Sequence, residues 1–206
     1  MLENLNDLKD YTRQVGDMLP DLKSEIVLKS PGISQSDATR LKSALPDLPD
    51  SYLKCIQLLD VQGISIGYFR LWPSAARTSA LVESLIQINR PEQNPRSSFF
   101  QKSNLYEVAA WEAEPICVAS NNSPHAAGAV FKISIVHPSP KVELLANNFE
   151  TFLLLAGNLD AICHEYSQTE NSESANAKFE HCLAHFALPA EAIATWKDIS
   201  DVVLSD

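Results

Sequence analysis

Glycine is scarce in this chain. Six residues of 206, Gly16, Gly32, Gly63, Gly67, Gly128 and Gly157, are scattered singly, well below the ordinary frequency of about 7%. Neither a phosphate-cradling loop nor a dinucleotide fingerprint can be assembled from them. Positive charge is short as well: 16 Lys and Arg against 26 Asp and Glu leave a formal charge of -10. That balance repels a phosphate backbone instead of releasing its counterions, so direct nucleic-acid binding is not expected. Long apolar runs are missing too. Stretches such as residues 152–157 (FLLLAG) fall far short of the roughly 20 residues that span a bilayer. Residues 1–11 (MLENLNDLKDY) are polar and acidic, where a secretory signal needs a basic and then an apolar region. The expectation is a soluble, cytoplasmic chain with no membrane partner. Cys55, Cys117, Cys163 and Cys182 show no CxxC spacing and stand in separate apolar contexts, which predicts reduced, buried thiols.

With 45% hydrophobic and 20% charged residues, there is enough apolar material for one core of about one to one-and-a-half typical domains. Leu2, Leu5, Leu8, Tyr11, Val15 and Met18 recur at helical spacing until Pro20. Ser36 or Asp37 can cap a short helix to about Ala44, and Asp47 or Asp50 can cap another, with Pro49 in its first turn and Gly63 just past its end. Residues 64–72 (ISIGYFRLW) are β-branched and aromatic and predict a strand with a bend at Gly67. Helical spacing returns over 75–88, and 90–103 reads as a long polar loop.

Four strands are then expected, over 105–111, 115–120, 128–137 and 141–145. In the third, Phe131, Ile133 and Ile135 face one way and Lys132 and Ser134 the other, giving an antiparallel meander with one wet face. Asn147 or Asn148 can cap a helix from Phe149 to about Tyr166 that covers the dry face. Residues 167–174 (SQTENSES) read as a linker, followed by a helical hairpin carrying Phe179, Cys182, Phe186, Ile193, Trp196 and Ile199. Eight acidic residues against Lys178 and Lys197 place six units of the negative charge in residues 163–206.

Chemistry-bearing patterns are few. His181 and His185 share a helix face at i and i+4, a spacing that presents two metal ligands, yet two further ligands are needed. They and His164 are read as solvated, with no metal and no cofactor expected. Burial disfavours a thiolate at Cys55 or Cys163, and no catalytic residue is assigned. Glu112 and Glu114 sit two apart at the end of a strand and read as a solvated rim pair, and His125 as an exposed loop residue. Trp72 and Trp111 each end an expected strand at a loop, where an aromatic can close the core or anchor a partner.

The segment Leu48-Pro49-Asp50-Ser51-Tyr52, followed by a helix, a glycine and an aromatic-ended strand, resembles the opening of the SUKH superfamily. Residues 115–119 (PICVA), 128–136 (GAVFKISIV) and 146–153 (ANNFETFL) are similar to its later signature of two strands and a helix opening on a Phe-Glu-x-Phe-Leu pattern. The likeness covers roughly residues 40–160. This chain departs from the family pattern at Val61-Gln62-Gly63 and at 111–115 (WEAEP), and residues after 163 lie outside it. The superfamily includes bacterial immunity proteins and fungal regulators of cell-wall glucan synthesis. The resemblance implies a non-enzymatic binding protein, an immunity protein that neutralises a toxin domain, with a cytosolic scaffold or regulator of cell-envelope synthesis or signalling as the alternative.

The expected fold is therefore α+β: a mostly antiparallel sheet of four to six strands, helices before it and on one face, and a C-terminal helical extension. Residues 1–166 form the SUKH-like domain and 167–206 the linker and hairpin packed on it. The expected partner is a protein, a basic toxin domain. Trp72 and Trp111 are the expected anchors, and Glu112, Glu114, Asp198 and Asp201 the charged rim.

Overall fold

The structure is a computed structural model that describes residues 1–73, 80–90, 97–134, 140–169 and 172–204. It opens with helix α1 (Leu5–Met18), whose N-cap Asn4 accepts from the amides of Asn6 and Asp7, satisfying two otherwise orphaned donors. A 3-10 turn (Pro20–Leu22) leads into the single turn α2 (Lys23–Ile26). Helix α3 (Gln35–Ala44) is capped by Ser34, two to three residues earlier than expected. Its hydroxyl accepts from Asp37 N at 3.1 Å and donates to the Asp37 carboxylate at 2.8 Å, so Asp37 serves inside the first turn. In α4 (Asp50–Leu58) it is Pro49 that occupies the cap, and the Asp47 carbonyl accepts from Asn121 N.

Residues 64–72 form two strands where one was expected. β1 (Ser65–Ile66) and β2 (Phe69–Arg70) pair as a hairpin, Ser65 with Arg70 and Ile66 with Phe69. Gly67, at φ +53°, turns the chain through a conformation that the β-branched residues around it avoid. Helix α5 (Leu81–Ile88) follows, and the expected start near Ala75 lies outside the described residues. Inside the expected loop, α6 (Ser97–Lys102) forms because Phe100 is buried against Leu105, Cys117 and Phe131.

Strands β3 (Leu105–Trp111), β4 (Glu114–Ala119), β5 (Val130–Ser134) and β6 (Lys141–Ala146) complete the sheet. Among the described residues it is a six-stranded antiparallel meander in sequence order. The fold is α+β, as expected. Residues 135–137 of the expected third strand lie outside the described residues.

β5 is buried along its whole length, so it has no wet face. Phe131 and Ile133 pack with Phe100 on the α6 side. The face that α7 (Phe149–Thr169) covers carries Ile116, Val118 and Val130. Asn148 caps this helix through Thr151 N at 2.8 Å.

Where a linker was expected, α7 runs on to Thr169 and α8 (Ser172–His185) begins three residues later, with 170 and 171 outside the described residues. Helix α9 (Ala190–Val203) returns along β6. Phe179, Trp196 and Ile199 join the same buried cluster as Phe69 and Phe152, so the tail helices share the core of the sheet. No helix among the described residues is long and apolar enough to cross a membrane.

Candidate functional site

The turns of the meander gather part of the expected site at one end of the sheet. Trp111 is the register partner of Phe69 on β2 and of Glu114 on β4. Between Trp111 and Glu114 the chain turns through Glu112, held at φ +51°, whose amide donates to the Tyr68 carbonyl at 3.4 Å. The β1–β2 turn, the β3–β4 turn, the end of β5 at Ser134 and the start of β6 at Lys141 therefore form one rim.

Glu112 and Glu114 are not a solvated pair on one strand face. Glu112 is exposed in the turn, whereas Glu114 points inward: its Oε1 accepts from Ser134 Oγ at 2.6 Å and its Oε2 lies 3.6 Å from Lys132 Nζ. Lys132 is only 8% exposed. Its ammonium also meets Glu143 at 3.1 Å and stands 4.8 Å from the centroid of the Trp111 ring, close enough for a cation–π contact. Glu143 in turn holds Lys141 at 2.6 Å. Burial works to raise the Glu143 carboxyl, but the hydrogen bonds and charges of Lys141 and Lys132 outweigh it and hold that group below the usual glutamate range. Lys141 is shifted upward, first by its hydrogen bond to Glu143 and also by the charge of Asp198.

Two carboxylates and two ammoniums make the inner ring of this cluster electrically neutral. Its free charge lies on the border. Glu112 is exposed at the hairpin tip, Asp198 is exposed on α9 near Lys141, and Asp201 is exposed one turn further along. Trp111 is half-buried, with its Nε1 enclosed and without a hydrogen-bond partner among the described residues. Trp72 is not brought to this rim. It lies three residues past Phe69, toward the other end of the sheet, half-buried with the Arg70 guanidinium 5.3 Å above its ring.

Sequence reasoning missed Tyr68. It is 45% exposed, next to Gly67 in the turn and bonded through its carbonyl to Glu112. Reading Gly67 as a hairpin turn instead of a bend would have placed it there. The cross-strand pair Lys132 and Glu143 was half legible: alternation puts Lys132 on its own side of β5, but the register that sets it opposite Glu143 is a tertiary fact.

The other candidates separate cleanly. His181 and His185 are exposed on α8, and among the described residues no group of three His, Cys, Asp or Glu is placed to hold a metal. His125 is exposed, its ring 4.6 Å from that of Phe131. His164 is not simply solvated, since its Nε2 lies 3.8 Å from the partly buried Asp160, which accepts a 2.8 Å hydrogen bond from Tyr11. Burial pushes the Cys55 and Cys163 thiols up to about 12 and raises Cys117 and Cys182 as well, which disfavours the nucleophilic thiolate at each.

The rim thus offers an exposed phenol and a fringe of carboxylates on a base cross-linked by ion pairs. No protein-family model matches the chain, and neither the curated proteins nor the solved structures hold a match to it.

Proposed function

We propose that this chain is a non-enzymatic binding protein of SUKH type, an immunity protein that acts in the cytoplasm and neutralises a basic toxin domain by docking its acidic rim against it. The observation that carries the reading is Tyr68, a large aromatic left 45% exposed beside the Glu112 tip, above a base locked by Lys132. Binding energy concentrates in such aromatic anchors, while border charges steer the encounter. Glu112, Asp198 and Asp201 supply that border, and the overall charge of -10 has the sign a basic, phosphate-binding toxin cleft would attract. Glu114 and Trp111 serve beneath, as supports of the rim.

The reading frames that flank its gene provide the test. Each is expressed alone and with this chain. One is expected to arrest growth, with co-expression restoring it, and Tyr68→Ala combined with Glu112→Gln is expected to weaken that protection. If no flanking frame is toxic, or if none is relieved by this chain, the immunity reading fails.

A further inference from the structure

Seven large apolar side chains are exposed among the described residues, and three of them stand within five positions of one another. Met18 is 64% exposed, Leu19 40% and Leu22 47%. Leu58 and Val202 are exposed singly. A lone apolar residue at the surface needs no explanation, whereas a cluster marks a contact surface.

The cluster forms a corner where α1 ends. The Leu19 amide closes the last turn of the helix on the Val15 carbonyl at 2.9 Å, and the Leu22 amide then donates to the Leu19 carbonyl at 3.0 Å to start the 3-10 turn. That turn and α2 carry Leu22 and the half-buried Ile26 four residues apart. The inner side of the same segment is anchored: Val15 and Leu28 are buried, and the Leu28 amide donates to Thr12 Oγ1 at 3.2 Å. Met18, Leu19 and Leu22 thus project from a fixed piece of backbone.

The charge around them is one-sided. Asp17, Asp21 and Glu25 are exposed at four-residue spacing. Lys23 pairs with Asp17 at 2.6 Å, while Asp21 and Glu25 have no ion-pair partner among the described residues. A second copy would set these acids against its own, and a charge of -10 against another -10; an anionic lipid surface is repelled in the same way. The occupant whose chemistry complements the corner is a protein segment with an apolar centre and a basic border.

We propose that the Met18–Leu22 corner is a docking site for a basic amphipathic segment of a partner protein. Apolar side chains of that segment cover Met18, Leu19 and Leu22, and its Lys or Arg residues meet Asp21 and Glu25. Covering the apolar groups supplies the affinity, and the acids select the charge of the partner. The site stands apart from the immunity reading. Only one consequence rests on that reading: α2 lies alongside β1, whose turn carries Tyr68, so a toxin seated on the rim has this corner at its border.

Amide NMR of the full chain, titrated with a synthetic helical Leu/Lys peptide and separately with its Leu/Glu counterpart, tests the site without a toxin. The basic peptide should shift the amides of Leu19, Leu22 and Ile26, and the acidic one should leave them in place. Met18→Ser combined with Leu22→Ser should weaken binding about tenfold, the effect of uncovering about one large apolar side chain. Asp21→Asn combined with Glu25→Gln should weaken it too and flatten its fall with salt. All four side chains are exposed, so both variants should melt with the wild type. Equal binding of the two peptides, or shifts that leave this corner untouched, would overturn the proposal. So would self-association, or binding to phosphatidylcholine vesicles, that the Met18→Ser and Leu22→Ser pair abolishes, since either shows a different occupant. None of these results depends on the growth assay, so this site and the immunity reading fail separately.

Discussion

Trp196 Nε1 donates a 2.8 Å hydrogen bond to the Leu145 carbonyl, tying α9 to the edge strand of the sheet. The same indole is fully buried against Phe69, Phe152 and Phe179, with ring centroids 5.4, 6.3 and 5.9 Å away. One side chain therefore satisfies an edge acceptor and closes the core. Trp196→Phe should keep much of the packing but orphan the carbonyl, costing about 1–3 kcal/mol. Trp196→Ala should cost about 3–5 kcal/mol. Urea unfolding of both variants measures the difference, and a Trp196→Phe protein as stable as the wild type would show that the hydrogen bond contributes nothing.

Tyr52 should be improvable. It is fully buried with its ring edge against Phe149, and its hydroxyl has no hydrogen-bond partner among the described residues. Leaving such a group unsatisfied costs about 1–3 kcal/mol. Tyr52→Phe is therefore expected to leave stability unchanged or to raise it by about 1 kcal/mol on the same scale. A clear loss in chemical denaturation would reveal a partner for that hydroxyl.

The Glu112 turn holds a non-glycine residue at φ +51°, a region that costs an L-residue about 1–2 kcal/mol. Glycine relieves this but loses more chain entropy, about 0.5–1 kcal/mol. Glu112→Gly should then gain about 0.5–1 kcal/mol, and Glu112→Val should lose stability. Thermal melting ranks the three proteins, and the opposite order would show that the turn relaxes on its own.

Lys132 balances two carboxylates in a nearly enclosed space. Lys132→Met should destabilise the protein at pH 7 by about 3 kcal/mol, the low end for breaking a buried pair. Adding Glu114→Gln and Glu143→Gln should recover most of the loss. The pH dependence has a definite sign. Because the folded Glu143 carboxyl lies below its ordinary value, its stabilisation is complete above about 4.3 and is lost as pH falls through the folded value. Melting temperatures between pH 2 and 7 should show a shallower acid slope in Lys141→Ala, and an unchanged slope would remove the ion pair as its cause.

Once a toxin partner is in hand, association should slow as salt rises, since exposed charges are screened beyond about 8–10 Å at physiological ionic strength. Replacing Glu112, Asp198 and Asp201 by amides should lower the association rate and flatten its salt dependence. Tyr68→Ala should act on dissociation instead, and Trp72→Ala, away from the rim, on neither. A Trp72 effect as large as that of Tyr68 would place the interface at the other end of the sheet.

Local pattern alone determined much of this molecule. The spacing of Leu5, Leu8 and Val15 specifies α1, and Phe149, Phe152, Leu159 and their neighbours specify α7, because an apolar stripe at helical period is a property of consecutive residues. β3 and β6 were legible from β-branched and apolar runs between turn signals, and the tail declared itself in Phe179 and Trp196. What pairs across the chain was decided only by tertiary structure. Alternation put Lys132 and Ser134 opposite Phe131 and Ile133 and suggested water on the polar side. The sheet instead set Glu114 and Glu143 there, so the polar side became an enclosed ion-pair cluster. Phe100 could build α6 only once Cys117 and Phe131 stood beneath it. Tyr68 reached the rim because Gly67 folds a hairpin there and the Glu112 amide, more than forty residues later, bonds its carbonyl. Register and long-range contact depend on loops closing over many residues, and nothing in a window of ten or fifteen residues encodes where the far partner will stand.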